Sequence, residues 1–154
     1  MQNAAGQRDR GPAVVVRGAE EAAAALRVAA GRRVLLLSAP GAAWFLGAAG
    51  WRALVARAES LVPGAACEDA LCCGDAPGLA LAALRAGCRI VVLEGACPAF
   101  PAVAGAAAEL GAALLPARPP AFDLAGLDLR KAGGRAKLSE WLGPHPHDSA
   151  AAKG

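Results

Sequence analysis

The most informative feature of this sequence is what it lacks. No lysine precedes Lys131, the only histidines are His145 and His147, and tyrosine is absent altogether. A lysine-free apolar middle excludes a Schiff-base lysine there, and it excludes a Walker A loop, which requires Gly-Lys followed by Ser or Thr. A serine or cysteine nucleophile would lack its usual histidine base unless the C-terminal end folded back over the chain. The sequence therefore removes most common catalytic mechanisms and leaves open whether the protein is an enzyme.

Several kinds of segment and site are also missing. The apolar runs are too short, or too interrupted, to span a membrane, and the N-terminal residues lack the apolar stretch of a signal peptide. The net charge is only +3 and the basic residues are scattered, so there is no basic stripe of the kind that binds nucleic acid. The turn after the first predicted strand lacks the three glycines of a dinucleotide-binding fingerprint. We therefore expect no membrane segment, no nucleic-acid partner, no cofactor and no metal site.

The cysteines indicate a compartment. Their number is odd and no spacing between them repeats, which argues against the disulfide framework of a secreted domain. Reduced thiols are typical of the cytoplasm, and the sequence predicts a cytoplasmic protein. The five are Cys67, Cys72, Cys73, Cys88 and Cys97.

What the sequence does contain is an alternation of β-branched runs with Ala- and Leu-rich amphipathic runs. Strands are predicted over residues 13–17, 33–38, 69–73, 89–94 and 112–115, and helices over 19–30, 51–62, 77–86 and 103–110. This alternation predicts an α/β fold whose five-stranded, mostly parallel sheet lies between helical layers. The architecture resembles the flavodoxin-like and Rossmann-like folds built from βαβ repeats. A half-barrel of consecutive βα units that pairs with a second copy is the alternative.

The chain divides into three parts by composition. Residues 1–12 are polar and predict a flexible leader, and residues 13–129 form a single α/β domain. At the end of that domain, the stretch from Arg118 to Arg130 contains a candidate edge segment. Residues 130–154 are basic and contain proline, which predicts a flexible tail with about one helical turn near Leu138–Leu142.

Candidate ligand-binding residues follow the predicted strands, because ligands of parallel sheets bind beyond the carboxyl ends of the strands. Ala-Pro-Gly follows both Ser38 and Asp75, so each side chain has the chemistry of a helix N-cap with proline in the first turn. The same two helix starts would offer free N–H groups to an anion, assisted by nearby arginines. Capping and anion binding are thus both open at these positions. The candidate ligand-binding residues are Arg17, Ser38, Gly41, Asp75, Gly78 and Arg118.

Two other functions remain open. A small enzyme would use Asp75 and Glu94, which end neighbouring strands, as an acid–base pair, or it would use Cys73 as a thiol nucleophile near a helix N-terminus. Burial is the more common state of a free cysteine. A protein-interaction or assembly module would use the aromatic residues Trp44, Phe45 and Trp51, which would otherwise be core or a lid, to contact a partner such as a second copy. Binding of a small anionic ligand at the strand ends is the leading hypothesis.

Overall fold

The computed structural model describes residues 10–144, and its centre is a six-stranded sheet in which every pairing is parallel. The strands are β1 (Ala13–Val15), β2 (Val34–Leu37), β3 (Cys67–Cys72), β4 (Ile90–Val92), β5 (Ala113–Leu115) and β6 (Ala121–Asp123), in the spatial order β5-β4-β3-β2-β1-β6. The predicted α/β fold with a parallel sheet is confirmed, with six strands rather than five. The sixth is the edge segment expected after Arg118, and it pairs with β1.

Five helices follow or connect these strands: α1 (Ala19–Ala29), α2 (Gly47–Leu61), α3 (Pro77–Arg85), α4 (Phe100–Glu109) and α5 (Ala132–Leu142). A short 3₁₀ helix, Ala42–Trp44, precedes α2. Helix α1 ends where Ala30 and Gly31 adopt left-handed backbone conformations, at φ of 49° and 87°. No helix of the described range is long and apolar enough to cross a membrane.

The two faces of the sheet are buried in different ways. Side chains that alternate along the strands, such as Val14, Leu36 and Val91, form one large cluster with buried residues of all five helices. The intervening side chains, such as Val15 and Leu37, form a second cluster made of strand residues alone. Strands β1 to β5 are neighbours in the sheet in the same order as in the sequence. Every right-handed crossover between them therefore runs in the same direction, which places each connecting helix on the same face of the sheet. Within residues 10–144 the helices therefore form one layer rather than layers on both faces as expected, a feature that the half-barrel alternative also has.

The connection from β5 to β6 constrains the shape of the sheet. These strands lie at opposite edges, yet only residues 116–120 separate them. In a flat sheet the edges would lie about 24 Å apart, at ~4.8 Å for each of the strand spacings, whereas the connecting chain reaches at most ~21 Å. The sheet must therefore curl until the connection can cross it. The Gly95 N–H donates to the Pro116 carbonyl at 2.9 Å and Pro119 is buried, so the connection lies close against the strand ends.

Helix α5 corrects the expectation of a flexible tail over residues 130–154. Its residues Leu138 and Leu142 are buried in the cluster that the helices share. The buried guanidinium of Arg32 donates to the carbonyl oxygens of Val28, Ala29, Ser139 and Gly143, and to Ser139 Oγ. The contacts with Ser139 and Gly143 join positions more than a hundred residues apart, so local composition could not reveal them. The rest of the tail, with His145 and His147, and residues 1–9 of the leader lie outside the described residues.

Candidate functional site

An ion pair joins the carboxyl ends of β1 and β6. The guanidinium of Arg17 donates to both carboxylate oxygens of Asp123, at 2.6 and 3.0 Å. The backbone N–H of Arg17 donates to Glu21 Oε1 at 2.8 Å. The pair lowers the pKa of Asp123 and raises that of Arg17, in each case chiefly through their mutual hydrogen bonds. Two-point contact of this kind fixes the plane of the guanidinium as well as its position.

A second arginine reaches the same end of the sheet. Arg118 lies on the connection between β5 and β6, and its NH1 donates to the Ser38 carbonyl at the end of β2, at 2.8 Å. Ser38 is itself buried, and its hydroxyl accepts the backbone N–H of Cys72 at 2.9 Å. Arg118 also contributes to the lowered pKa of Asp123. We call the strand ends that carry Arg17, Ser38, Arg118 and Asp123 the rim.

A cavity of about 130 Å³ opens beside the rim. Its wall combines one guanidinium and one hydroxyl with apolar side chains from the end of β1, the loop after β2 and the beginning of α2. The lining residues are Val16, Arg17, Ser38, Ala39, Ala42, Phe45, Leu46 and Trp51. The candidates Arg17 and Ser38 therefore share one cavity, with Arg118 bound to the carbonyl of the second.

The two Ala-Pro-Gly segments do not form matching helix starts. The expectation that Ser38 and Asp75 act as N-caps is wrong, because the N-cap positions are Gly41 for the 3₁₀ helix and Ala76 for α3, and neither helix has a side-chain cap. Ser38 instead links β2 to β3 through its hydroxyl. Gly41 has a φ of 64°, which favours glycine. Only the second segment begins an α-helix directly, with Pro77 in the first turn as expected.

Asp75, Gly78 and Glu94 lie outside the cavity. All three are exposed, and a Cβ added at Gly78 would meet nothing within 4 Å, so no close backbone approach requires glycine there. The Glu94 N–H donates to the Gly74 carbonyl at 2.8 Å, so β3 and β4 do end side by side. Within residues 10–144, however, the carboxylates of Asp75 and Glu94 make no hydrogen bond or ion pair. The structure gives this pair the surroundings of solvated loop residues.

The thiol of Cys73 is fully buried. Burial, more than the neighbouring thiols of Cys72 and Cys88, raises its pKa to about 12. A reactive cysteine needs a lowered pKa and access to solvent, and Cys73 has neither. The structure therefore favours the buried, unreactive state for this residue.

The aromatic residues after β2 separate into two groups. Trp51 is fully buried, and its indole Nε1–H donates to Asp69 Oδ2 at 2.9 Å. Trp44 and Phe45 are 67% and 75% exposed, and Leu46 is partly exposed beside them. We call Trp44, Phe45 and Leu46 the apolar patch. Trp51 is thus a core residue with a polar partner, and only the first two aromatics are available to a partner molecule.

Two acidic residues with partners in the structure, Asp123 and Asp69, were not recognisable as such from the sequence. Asp123 ends a three-residue edge strand, where the hydrophobic pattern is weak, and its partner Arg17 is 106 residues away. Asp69 follows Glu68 at the beginning of an apolar run, a position typical of a solvated strand-end residue. In the structure it lies within β3, and burial raises its pKa although the Trp51 hydrogen bond opposes the shift.

No group of three or more Cys, His, Asp or Glu side chains in residues 10–144 is arranged to hold a metal ion. No protein-family model matches the sequence, and no curated protein matches it. The fold and the geometry of the rim are therefore the observations from which a function can be argued.

Proposed function

We propose that the protein binds a small organic molecule with one carboxylate at the rim. One observation supports this above the others: Arg17 and Ser38 line the same cavity as the apolar side chains of Phe45, Leu46 and Trp51. A guanidinium beside an apolar wall matches a ligand with a charged head and a short carbon chain. The position also agrees with the general rule that parallel sheets bind ligands beyond the carboxyl ends of their strands.

The volume of the cavity limits the length of the ligand. Pockets that enclose drug-sized molecules measure roughly 300–1,000 Å³. The rim cavity, at about 130 Å³, has room only for a ligand of a few heavy atoms. Short aliphatic or keto acids fit this limit, whereas nucleotides and large coenzymes do not.

The charge around the cavity limits the charge of the ligand. The guanidinium groups of Arg17 and Arg118 are balanced by the carboxylates of Asp123 and Glu21, so the rim has no large positive excess. Because these four groups have a net charge of zero, a doubly charged phosphate would bring two uncompensated charges to the rim and a carboxylate only one, which favours a single negative charge. Arg118 is not part of the cavity lining, but it binds the carbonyl of Ser38, which is. It uses only NH1 within the described residues, so its other N–H groups remain for a carboxylate beside the cavity. Arg17 is oriented by Asp123 and contributes its charge to the wall.

A series of acids tests this proposal. Calorimetric titration with acetate, propionate, butyrate and hexanoate should show affinity that rises with chain length and then falls once the cavity is filled. Butanol has the same chain as butyrate without the charge, and formate has the single negative charge without the chain, so both should bind more weakly than butyrate. Affinity that is independent of chain length, or equal binding of butanol and butyrate, would contradict the proposal.

The apolar patch supports a second candidate function, self-association. Exposed large apolar side chains that lie together mark interaction sites more often than isolated ones do. Trp44 and Phe45 are neighbours in sequence and are both more than half exposed, in a chain with only 4% aromatic residues. A two-fold contact would bring two such patches together and bury both.

Sedimentation velocity over a range of protein concentrations tests self-association. A dimer that forms in the wild type should be lost in Trp44→Ser and Phe45→Ser. Leu110→Ser is the matched control, because Leu110 is about half exposed and lies at the end of α4, outside the patch. A wild type that stays monomeric at every concentration would exclude this function.

A further inference from the structure

We infer that a second ligand site, independent of the rim, lies in the groove between α1 and α5, and that it takes a phosphate monoester. The groove has a volume of about 380 Å³. Three arginines and three apolar residues line it: Ala24, Arg27, Val28, Leu129, Arg130 and Arg135. None of these residues belongs to the rim.

The charge in the groove is positive and incompletely balanced. Arg130 donates through Nε and NH2 to the two carboxylate oxygens of Asp128, at 3.0 and 3.2 Å, so this pair is close to neutral. The side chain of Arg27 makes no hydrogen bond or ion pair within residues 10–144. In the same range the guanidinium of Arg135 donates only to neutral carbonyl oxygens. The lining contains no carboxylate, so the charges of Arg27 and Arg135 remain for a ligand with two negative charges.

The position of Arg135 is fixed by the backbone around it. Its NH1 donates to the carbonyl oxygens of Leu129 and Arg130, at 3.1 and 2.7 Å. The remaining N–H groups of this guanidinium make no hydrogen bond within the described residues. A guanidinium held by one nitrogen presents the others in a planar fork that matches two phosphate oxygens.

The apolar part of the groove should give a phosphate monoester a higher affinity than free phosphate. Ala24 and Val28 lie one turn apart on α1, and Leu129 faces them from the segment before α5. These side chains give an organic substituent a surface to cover, which inorganic phosphate cannot use. The volume is within the usual range for small-molecule sites.

Calorimetric titration of the full chain with phenyl phosphate and with inorganic phosphate, at constant ionic strength and at a pH above about 7, tests the inference. Phenyl phosphate should bind saturably and more tightly than inorganic phosphate, and Arg27→Gln should weaken it by about tenfold. Arg85→Gln is the matched control, because Arg85 occupies the last turn of α3 as Arg27 occupies the last turn of α1. Arg118→Ala, at the rim, should leave phenyl phosphate binding unchanged, which separates this site from the rim.

Three results would overturn the inference: no saturable binding, equal effects of Arg27→Gln and Arg85→Gln, or equal affinity for the two phosphates. Arg135→Gln should add to the loss caused by Arg27→Gln. If Arg135→Gln does not fold, Arg27→Gln alone decides, since replacing Arg27 breaks no side-chain hydrogen bond or ion pair within residues 10–144. Circular dichroism of each variant establishes that its fold is retained.

Discussion

Arg17 and Asp123 form a two-point ion pair across the ends of β1 and β6, with N···O distances of 2.6 and 3.0 Å. The pair joins the edge strand β6 to β1 at the rim. It also orients Arg17, which is the only guanidinium that lines the cavity. Both side chains are more than a third exposed, at 42% and 48%, so the pair contributes little to stability. We therefore propose that its main effect is on how a carboxylate ligand would contact Arg17.

Replacing Asp123 with asparagine should strengthen carboxylate binding at the rim. The substitution removes the charge that competes for Arg17, and its carbonyl oxygen can keep the hydrogen bond that Asp123 accepts from the Ala125 N–H at 2.9 Å. The free energy of unfolding should change by less than about 1 kcal/mol. Titration with butyrate measures the affinity, and Glu68→Gln, which removes the partner of the exposed Arg33, is the control. Weaker binding in Asp123→Asn would show that Asp123 assists the ligand.

The hydrogen bond between Trp51 and Asp69 should be important for stability. Trp51→Phe keeps the ring in the core but leaves a largely buried carboxyl without its donor. Leaving such a group unsatisfied costs about 1–3 kcal/mol, which chemical denaturation would measure. An unchanged free energy of unfolding would mean that water replaces the indole at Asp69.

Asp69 should also give the protein a measurable pH dependence. Burial, the largest cause, raises its folded-state pKa above the ordinary value of 3.8, with Glu59 and Glu68 adding to the rise and Trp51 and Arg52 opposing it. The folded state therefore prefers the protonated carboxyl, and this contribution is complete below the ordinary pKa and is lost as the pH rises through the folded-state pKa. Compared with Asp69→Asn, the wild type should lose stability over that interval. Parallel stability curves for the two proteins would contradict the assignment.

The cysteines should differ sharply in their reactivity. Cys73 is fully buried with a pKa of about 12, whereas Cys97 is partly exposed. At neutral pH, iodoacetamide should modify Cys97 in the folded protein and Cys73 only after unfolding in guanidinium chloride. Peptide mass spectrometry distinguishes the two sites. Rapid modification of Cys73 in the folded protein would restore the thiol mechanism as a candidate.

Two adjacent glycines at the start of α5 should respond in opposite directions to alanine. A Cβ at Gly134 would overlap the carbonyl oxygen of Asp128, so Gly134→Ala must displace the backbone of the preceding turn. We expect a loss of about 1–3 kcal/mol in the free energy of unfolding. A Cβ at Gly133 meets nothing within 4 Å, and Gly133→Ala should stabilise the helix by up to ~1 kcal/mol. Similar melting temperatures for the two variants would contradict the packing of α5 described here.

The sequence predicted the elements of the sheet better than the contacts of the site. Uninterrupted apolar runs identify β1, β2 and β4 because their strands are buried on both faces. Helix α2 begins at Gly47 rather than at the predicted Trp51. The first turn was missed because glycine disfavours helix and the residues before Trp51 include two glycines. Arg17 and Ser38 could be placed at the rim from strand order alone. Asp123 could not, because its role depends on a connection that crosses the whole sheet.

Titration of butyrate into the wild type and into Arg118→Ala tests the central claim most directly, with Arg33→Ala as the control for loss of an exposed arginine. We expect saturable binding to the wild type and to Arg33→Ala, and a loss of about tenfold or more in Arg118→Ala with an unchanged circular dichroism spectrum. Equal affinity in all three proteins, or no binding to any of them, would show that the rim is not a carboxylate site.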